Sequence, residues 1–276
     1  MGAAKWKERV DQSDMILIGL GEEWKLNRVD QRMQLLEAYR AMYELIKDKD
    51  YFIITLATDA LIYETNLGSQ SETVARAEMD AAAKTAMSCG DRGGHSDPGD
   101  HEGAGTTADA ALAAMDHLFP VKEIPLDTRW QRIVAPCGNE TWKQCSLGCT
   151  KDIWESGELP EEICPHCGAP LTGNTIEASP YIEEGYLPQW NRYTRWLTKT
   201  LNRKLLILEL GVGFAKPGVI RFPFEKTAFF NQKSFLCRVN EKFPQITEEL
   251  TGRAEGIAEN SVEWVLQNSA EGIHKN

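Results

Sequence analysis

Short apolar runs alternate with amphipathic stretches along this chain. Residues 15–18 are apolar and end in Gly19-Leu20-Gly21, which predicts a buried parallel strand entering a tight turn. Over 28–47 the apolar residues Met33, Leu36, Tyr39, Tyr43 and Ile46 recur at helical spacing, so an amphipathic helix is expected there. Residues 51–56 (Tyr-Phe-Ile-Ile-Thr-Leu) read as a second buried strand. Strand, helix, strand is the repeating unit of a doubly wound parallel sheet.

The pattern returns in the second half. Residues 204–210 (Lys-Leu-Leu-Ile-Leu-Glu-Leu) are the strongest strand signal and end at Gly211-Val212-Gly213. Residues 235–239 form another short strand, closed by Asn240, and 132–135 a further one. Over 181–201, Trp190, Tyr193, Trp196, Leu197 and Leu201 fit one helix face, and such a stripe is expected in a core. Helices are also expected over 72–87, 108–118 and 261–266, and the polar residues 1–12 enter one. Residues 88–107, with six glycines, read as a loop. The alternative there is a second metal site built from His95, His101 and the nearby aspartates.

Composition narrows the function classes. The 276 residues are 42% apolar and 26% charged, enough for one large domain or a domain with a small module. No apolar run reaches the length of a membrane span and no secretory signal opens the sequence, so no membrane contact is expected. A formal net charge of −11 gives no electrostatic footprint for nucleic acid. Seven cysteines, four of them in metal spacing, fit a reducing cytoplasm better than a disulfide scaffold. The oligomeric state is left open.

Those four cysteines are the sharpest motif. Cys145 and Cys149 are three residues apart, Cys164 and Cys167 two apart, and fourteen residues separate the pairs. Two short hairpins at this distance each offer two thiolates to a tetrahedral Zn²⁺. Unrelated thiols or two disulfides are the alternatives. In the run from Cys164 to Gly168, the glycine is expected to relieve a strained turn just past the second ligand. His166 is expected to face solvent, Cys237 to pack in a strand and Cys89 to sit in a loop.

Order along the chain adds a family. A strand with Gly-x-Gly, a strand with Thr-x-x-x-Asp-x-Leu, a cysteine ribbon, a strand with Gly-x-Gly and a strand ending in Asn together resemble the Sir2 (sirtuin) family. Thr55-Leu56-Ala57-Thr58-Asp59-Ala60-Leu61 is similar to its Thr-Gln-Asn-Ile-Asp-Gly-Leu segment. Gly211-Val212-Gly213-Phe214 is similar to its Gly-Thr-Ser-Leu position, and Arg238-Val239-Asn240 to its Ile-Asn element. The resemblance implies an α/β fold: a Rossmann-type parallel sheet with an inserted small zinc-ribbon module. Residues 1–131 and 172–276 would form the large domain, with a variable insert at 63–128, and 132–171 the ribbon. It also implies NAD-dependent protein deacylation or ADP-ribosyl transfer, with an acylated or ADP-ribosylated protein as partner. Zinc would be structural, and NAD or ADP-ribose would face Gly19, Gly21, Asp59, Gly211, Val212, Gly213 and Asn240.

The departures from the family fall at the chemistry. Cys137-Gly138 stands eight residues before the first ribbon cysteine, where the family keeps a catalytic His-Gly. A thiol with a pKa of about 8.5 is a poor substitute for imidazole as a base near pH 7. Leu56 and Ala57 replace the family's Gln and Asn. Glu22 and Glu23 follow Gly21, where carboxylates would take up the field that attracts a pyrophosphate. Three readings follow: an NAD-dependent sirtuin enzyme, an inactive relative that binds nucleotide or protein, and a partner-binding protein without nucleotide.

Overall fold

The structure is a computed structural model, and it describes residues 3–68 and 132–270, all within one compact unit of the chain. The expectations for 72–87, 88–107, 108–118 and Cys89 lie outside the described residues.

Nine strands form two sheets among the described residues. The larger contains β1 (Met15–Leu20), β2 (Asp50–Thr55), β3 (Ile133–Val134), β7 (Leu205–Leu210), β8 (Phe235–Val239) and β9 (Ala254–Ile257). Every pairing in it is parallel, in the order β3-β2-β1-β7-β8-β9. Counted within the sheet this is 3-2-1-4-5-6, the Rossmann order, and the direction of winding reverses between β1 and β7. The smaller sheet is antiparallel, in the order β5-β4-β6, from β4 (Gly138–Cys145), β5 (Ile153–Glu155) and β6 (Leu171–Thr175).

Helices cover both faces of the parallel sheet, so β1 and β7 are buried at every position. Ile16, Ile18 and Leu20 pack in one layer with α1 (Ala3–Gln12), α2 (Arg32–Ile46) and α5 (Ser261–Ala270). Met15 and Leu17 pack in the other with α3 (Leu187–Thr198) and α4 (Arg221–Phe230). Alternation along a strand produces these two cores, one on each face. Asp50, at the entry of β2, ties the second layer to the sheet edge: it accepts from Trp196 Nε1 at 2.7 Å and from Arg132 at 2.8 Å.

Several boundaries differ from the sequence reading for identifiable reasons. β1 continues through Gly19 and Leu20, because Gly19 has no side chain to collide with Ile220 and Phe224 of the second layer. Helix α2 starts at Arg32, and its apolar face is Leu35, Leu36, Tyr39, Met42 and Ile46; Met33 is 59% exposed. Helix α3 ends at Thr198, which leaves Leu201 outside it and 62% exposed. α4 and β9 were not expected. Three of the four phenylalanines of α4 (Phe222, Phe229 and Phe230) face solvent, so they blur its periodicity. β9 has no apolar run and owes its conformation to pairing with β8 at the sheet edge.

Candidate functional site

Open parallel sheets bind ligands outside the carboxyl ends of their strands, where the strand order reverses. Here that place is the gap between the exits of β1 and β7. The two exits touch: Gly21 N–H donates to Leu210 O at 2.9 Å, and a Cβ on Gly21 would collide with Gly211 O and Val212 Cα. Gly211 has φ +66°, and its N–H donates to Val239 O at 2.7 Å. Only glycine suits both positions, one for close approach and one for backbone conformation.

The turn after β1 then fills the gap with its own carboxylates. Residues Glu22–Trp24 form one 3₁₀ turn. Trp24 anchors it, fully buried, with its ring 5.0 Å from Tyr39 and its Nε1 donating to Ser261 Oγ at 3.0 Å. The anchored turn aims Glu22 and Glu23 at backbone N–H groups. Gly213 N–H donates to Glu22 Oε2 at 2.7 Å. Glu23 accepts from Ser261 N–H at 2.6 Å and Glu241 N–H at 3.1 Å. Ser261 opens α5, whose next two N–H groups go to Asn260 Oδ1 at 3.1 and 3.2 Å. The helix N-terminus and the glycine turn, the two features that would attract a phosphate, therefore already hold anionic acceptors. The second oxygen of Glu22, Oε1, is buried with no hydrogen-bond partner.

The other residues singled out from the sequence have local structural partners. Gly19 lies within β1 against α4 rather than in the turn. Asp59 accepts from Leu26 N–H at 2.7 Å and Leu61 N–H at 3.0 Å, so it pins the segment after the Glu22 turn to the exit of β2. Asn240 Oδ1 accepts from Lys242 and Phe243 N–H at 2.9 and 2.7 Å and shapes the turn after β8. Val212 is buried in the same cluster as Leu56 and Cys137. Cys137 is 2% exposed, and burial pushes its thiol up from the ordinary value, with Lys216 and then Lys25 partly offsetting this. A thiol so placed is held in its protonated form.

A buried ion network beside the gap was not anticipated. Glu209 and Arg238 are register partners on β7 and β8, and both side chains are fully buried. Arg238 grips the carboxylate with Nε at 2.6 Å and a terminal nitrogen at 2.9 Å, and donates to Glu225 at 2.8 Å. It also donates to Gln245 O. Burial pushes the Glu209 carboxyl up from its ordinary range, and Arg238 pulls it back. Arg221 adds bonds to the carbonyls of Val212 and Phe243 at 3.2 Å and Gln245 at 3.3 Å, with its guanidinium 4.3 Å from the Phe214 ring centre. The network holds the Gly211–Gly213 turn to the loop after β8. Glu209 sits alone in an apolar run, which was the one available signal.

The four ribbon cysteines do converge. Their Sγ atoms all lie within 4.8 Å of one another, and Cys145–Cys167 and Cys149–Cys164 are each 3.5 Å apart. Four thiolates about 2.3 Å from a tetrahedral zinc stand about 3.8 Å apart, so the donor set is compatible with that ion. Gly148 and Gly168, at φ +60° and +74°, close the two knuckles, and their N–H groups donate to Cys145 O and Cys164 O at 3.0 and 2.9 Å. The backbone N–H of Cys149, then that of Leu147, lower the Cys145 thiol to about 6, which favours a thiolate. His166 points out of the cluster to Asp152 at 2.8 Å.

Comparison with known proteins gives the following. No family model matches the chain. A Staphylococcus aureus protein named Protein ADP-ribosyltransferase is 24% identical over 169 residues, which is 55% of this chain and 49% of that one. The chain thus spans about half the length of that curated relative. Among solved structures, Sir2Tm bound to a propionylated peptide is similar over 99% of both chains at 11% identity and TM-score 0.46. A structure described for the mechanism and regulation of Sir2 enzymes covers 98% of this chain and 96% of its own at 12% identity and TM-score 0.45. A Sir2 complex with a deacetylated peptide and 3′-O-acetyl ADP-ribose covers 99% of both at 11% identity and TM-score 0.44. The Rossmann sheet and the four-cysteine ribbon agree with the sirtuin resemblance read from the sequence. Among the described residues no helix is long and apolar enough to cross a membrane.

Proposed function

We propose that this chain is a sirtuin-like protein of the NAD-dependent deacylase and ADP-ribosyltransferase class whose nucleotide gap is held shut by its own carboxylate. The observation that carries the reading is the bond from Gly213 N–H to Glu22 Oε2 at 2.7 Å. A pyrophosphate entering beside Glu22 meets an occupied donor and a like charge, a repulsion of about 1 kcal/mol per charge pair at 4 Å in water and more when partly buried. Deacylation is disfavoured independently, because Cys137 is a buried protonated thiol where the family keeps its base. The chain then serves as a binding module, for ADP-ribose at high concentration or for a modified protein.

Calorimetric titration with NAD and ADP-ribose tests this. The expected result is weak or undetectable binding to the unaltered chain. Micromolar affinity for NAD would overturn the proposal. A second reading, ADP-ribosyl transfer, is favoured by the name of the Staphylococcus aureus relative. It needs no histidine base if the acceptor brings its own nucleophile. NAD-dependent labelling of an acceptor protein in a lysate, abolished when Gly213 is replaced, would support it over the first.

A further inference from the structure

The opposite end of the parallel sheet carries a feature that the gap does not use. The last turn of α1 and the segments entering β7 and β8 surround a cavity of about 140 Å³. Three cations line it, one from each segment: Arg9, Lys204 and Lys233. None of the three has an ion-pair partner among the described residues. Arg9 is the built part. Its guanidinium carbon lies 3.3 Å from the ring centre of Phe235, and its Nε is buried without a hydrogen-bond partner.

The neighbouring polar groups are already engaged. Ser13 Oγ donates to Val10 O at 2.8 Å, and Gln12 donates to Glu8 at 2.9 Å. Asp14 accepts from the backbone N–H of Lys204 at 3.0 Å. A basic residue in the last turn of a helix complements its dipole, which accounts for a charge at Arg9. It accounts for neither lysine. Three like charges gathered on one cavity repel one another, unless an anion offsets them.

We propose that this cavity is an anion site for a phosphate-sized ligand, separate from the strand-end gap. Size points to the class: pockets for nucleotides and drug-sized molecules run from roughly 300 to 1,000 Å³, so a cavity of about 140 Å³ matches inorganic phosphate. Arg9, stacked on Phe235, and the exposed Lys204 and Lys233 would supply the charge from three segments of the lining.

The test is a titration of the full chain with inorganic phosphate at constant ionic strength, followed by calorimetry and by melting temperature. Saturable binding with a rise in Tm is expected. The double variant Lys204→Glu with Lys233→Glu should bind at least tenfold more weakly, and Lys226→Glu, at an exposed lysine of α4 that does not line the cavity, should bind as the unaltered chain does. Both lysines are exposed, so the double variant is expected to fold; if it does not, Lys204→Gln carries the same comparison. Non-saturable binding, equal binding by the cavity-lysine variants, or loss of binding in Lys226→Glu would each overturn the proposal.

Discussion

The cysteine ribbon and the strand-end gap began as motifs of similar length, yet the structure treats them in opposite ways. In the ribbon, four Sγ atoms gather within 4.8 Å of one another. In the gap, the N–H of Gly213 and that of Ser261 are satisfied by Glu22 and Glu23. Side-chain ligands announce themselves by identity and spacing. Backbone donors do not, because any nearby acceptor can take them, and the neighbours decide whether the site is available. The comparison thus separates side-chain ligands that converge on one centre from backbone donors that already hold the chain's own carboxylates.

The largest effect tests the ribbon half of this contrast. Purified protein is expected to hold about one zinc per chain, and its removal by chelation or by Cys164→Ser should unfold the β4–β6 sheet. Apparent zinc binding energies for structural sites are about 10–16 kcal/mol, and the apolar cluster buried there is only Cys145, Cys164 and Trp154. Metal analysis with amide hydrogen exchange over 138–175 reads the outcome. Metal-free protein with an unchanged exchange pattern would erase the difference between the two regions.

Next comes the frame of the gap. Removing Arg238 strands the carboxylate of Glu209, which is 0% exposed, and breaking one partner of such a pair costs about 3–5 kcal/mol. Arg238→Ala should lower urea stability by that amount, whereas a surface pair such as Arg28–Asp30, more than two-thirds exposed on both sides, should contribute about 0–1 kcal/mol. Similar costs for the two would mean that the network does not organise the gap.

How much of this was legible beforehand follows the same division. β1, β2, β7 and β8 were legible because both their faces are buried, which leaves predominantly apolar runs. The ribbon was legible because its ligands are named residues. Helix α4 was hidden by phenylalanines that face solvent, and β9 by the absence of any apolar pattern. In the gap, Glu22 and Glu23 could be flagged as carboxylates in an anion-attracting place. Their partners could not, since Gly213 and Ser261 are 191 and 238 residues away in the chain. Arg238 stands in the segment similar to the family's Ile-Asn element, and only strand register reveals that it faces Glu209.

A more moderate effect would sharpen the gap half. Glu22→Gln keeps the shape of the side chain, can still accept from Gly213 and removes the charge. If charge and occupancy exclude a nucleotide, ADP-ribose affinity should rise at least tenfold, about 1.4 kcal/mol. Glu22→Ala should raise it further by freeing the N–H outright. Unchanged ADP-ribose affinity in both variants would show that the gap is closed by something other than Glu22.

The smallest effect concerns Cys137, which belongs to neither region in chemistry although it packs against Val212 at the edge of the gap. A buried thiol that only fills space contributes about as much as one methylene, so Cys137→Ala should cost about 1 kcal/mol. Its reaction with iodoacetamide should be slow at pH 7 and accelerate only above the pH of a free thiol, because burial raises its pKa and leaves little thiolate. The sign for stability follows: a thiol with a raised folded pKa favours the folded state fully below about pH 8.5, and that contribution is lost as pH climbs through the folded value. Native protein labelled rapidly at Cys137 at pH 7, or any NAD-dependent turnover lost in Cys137→Ala, would move this residue from packing into chemistry and reopen the gap as an active centre.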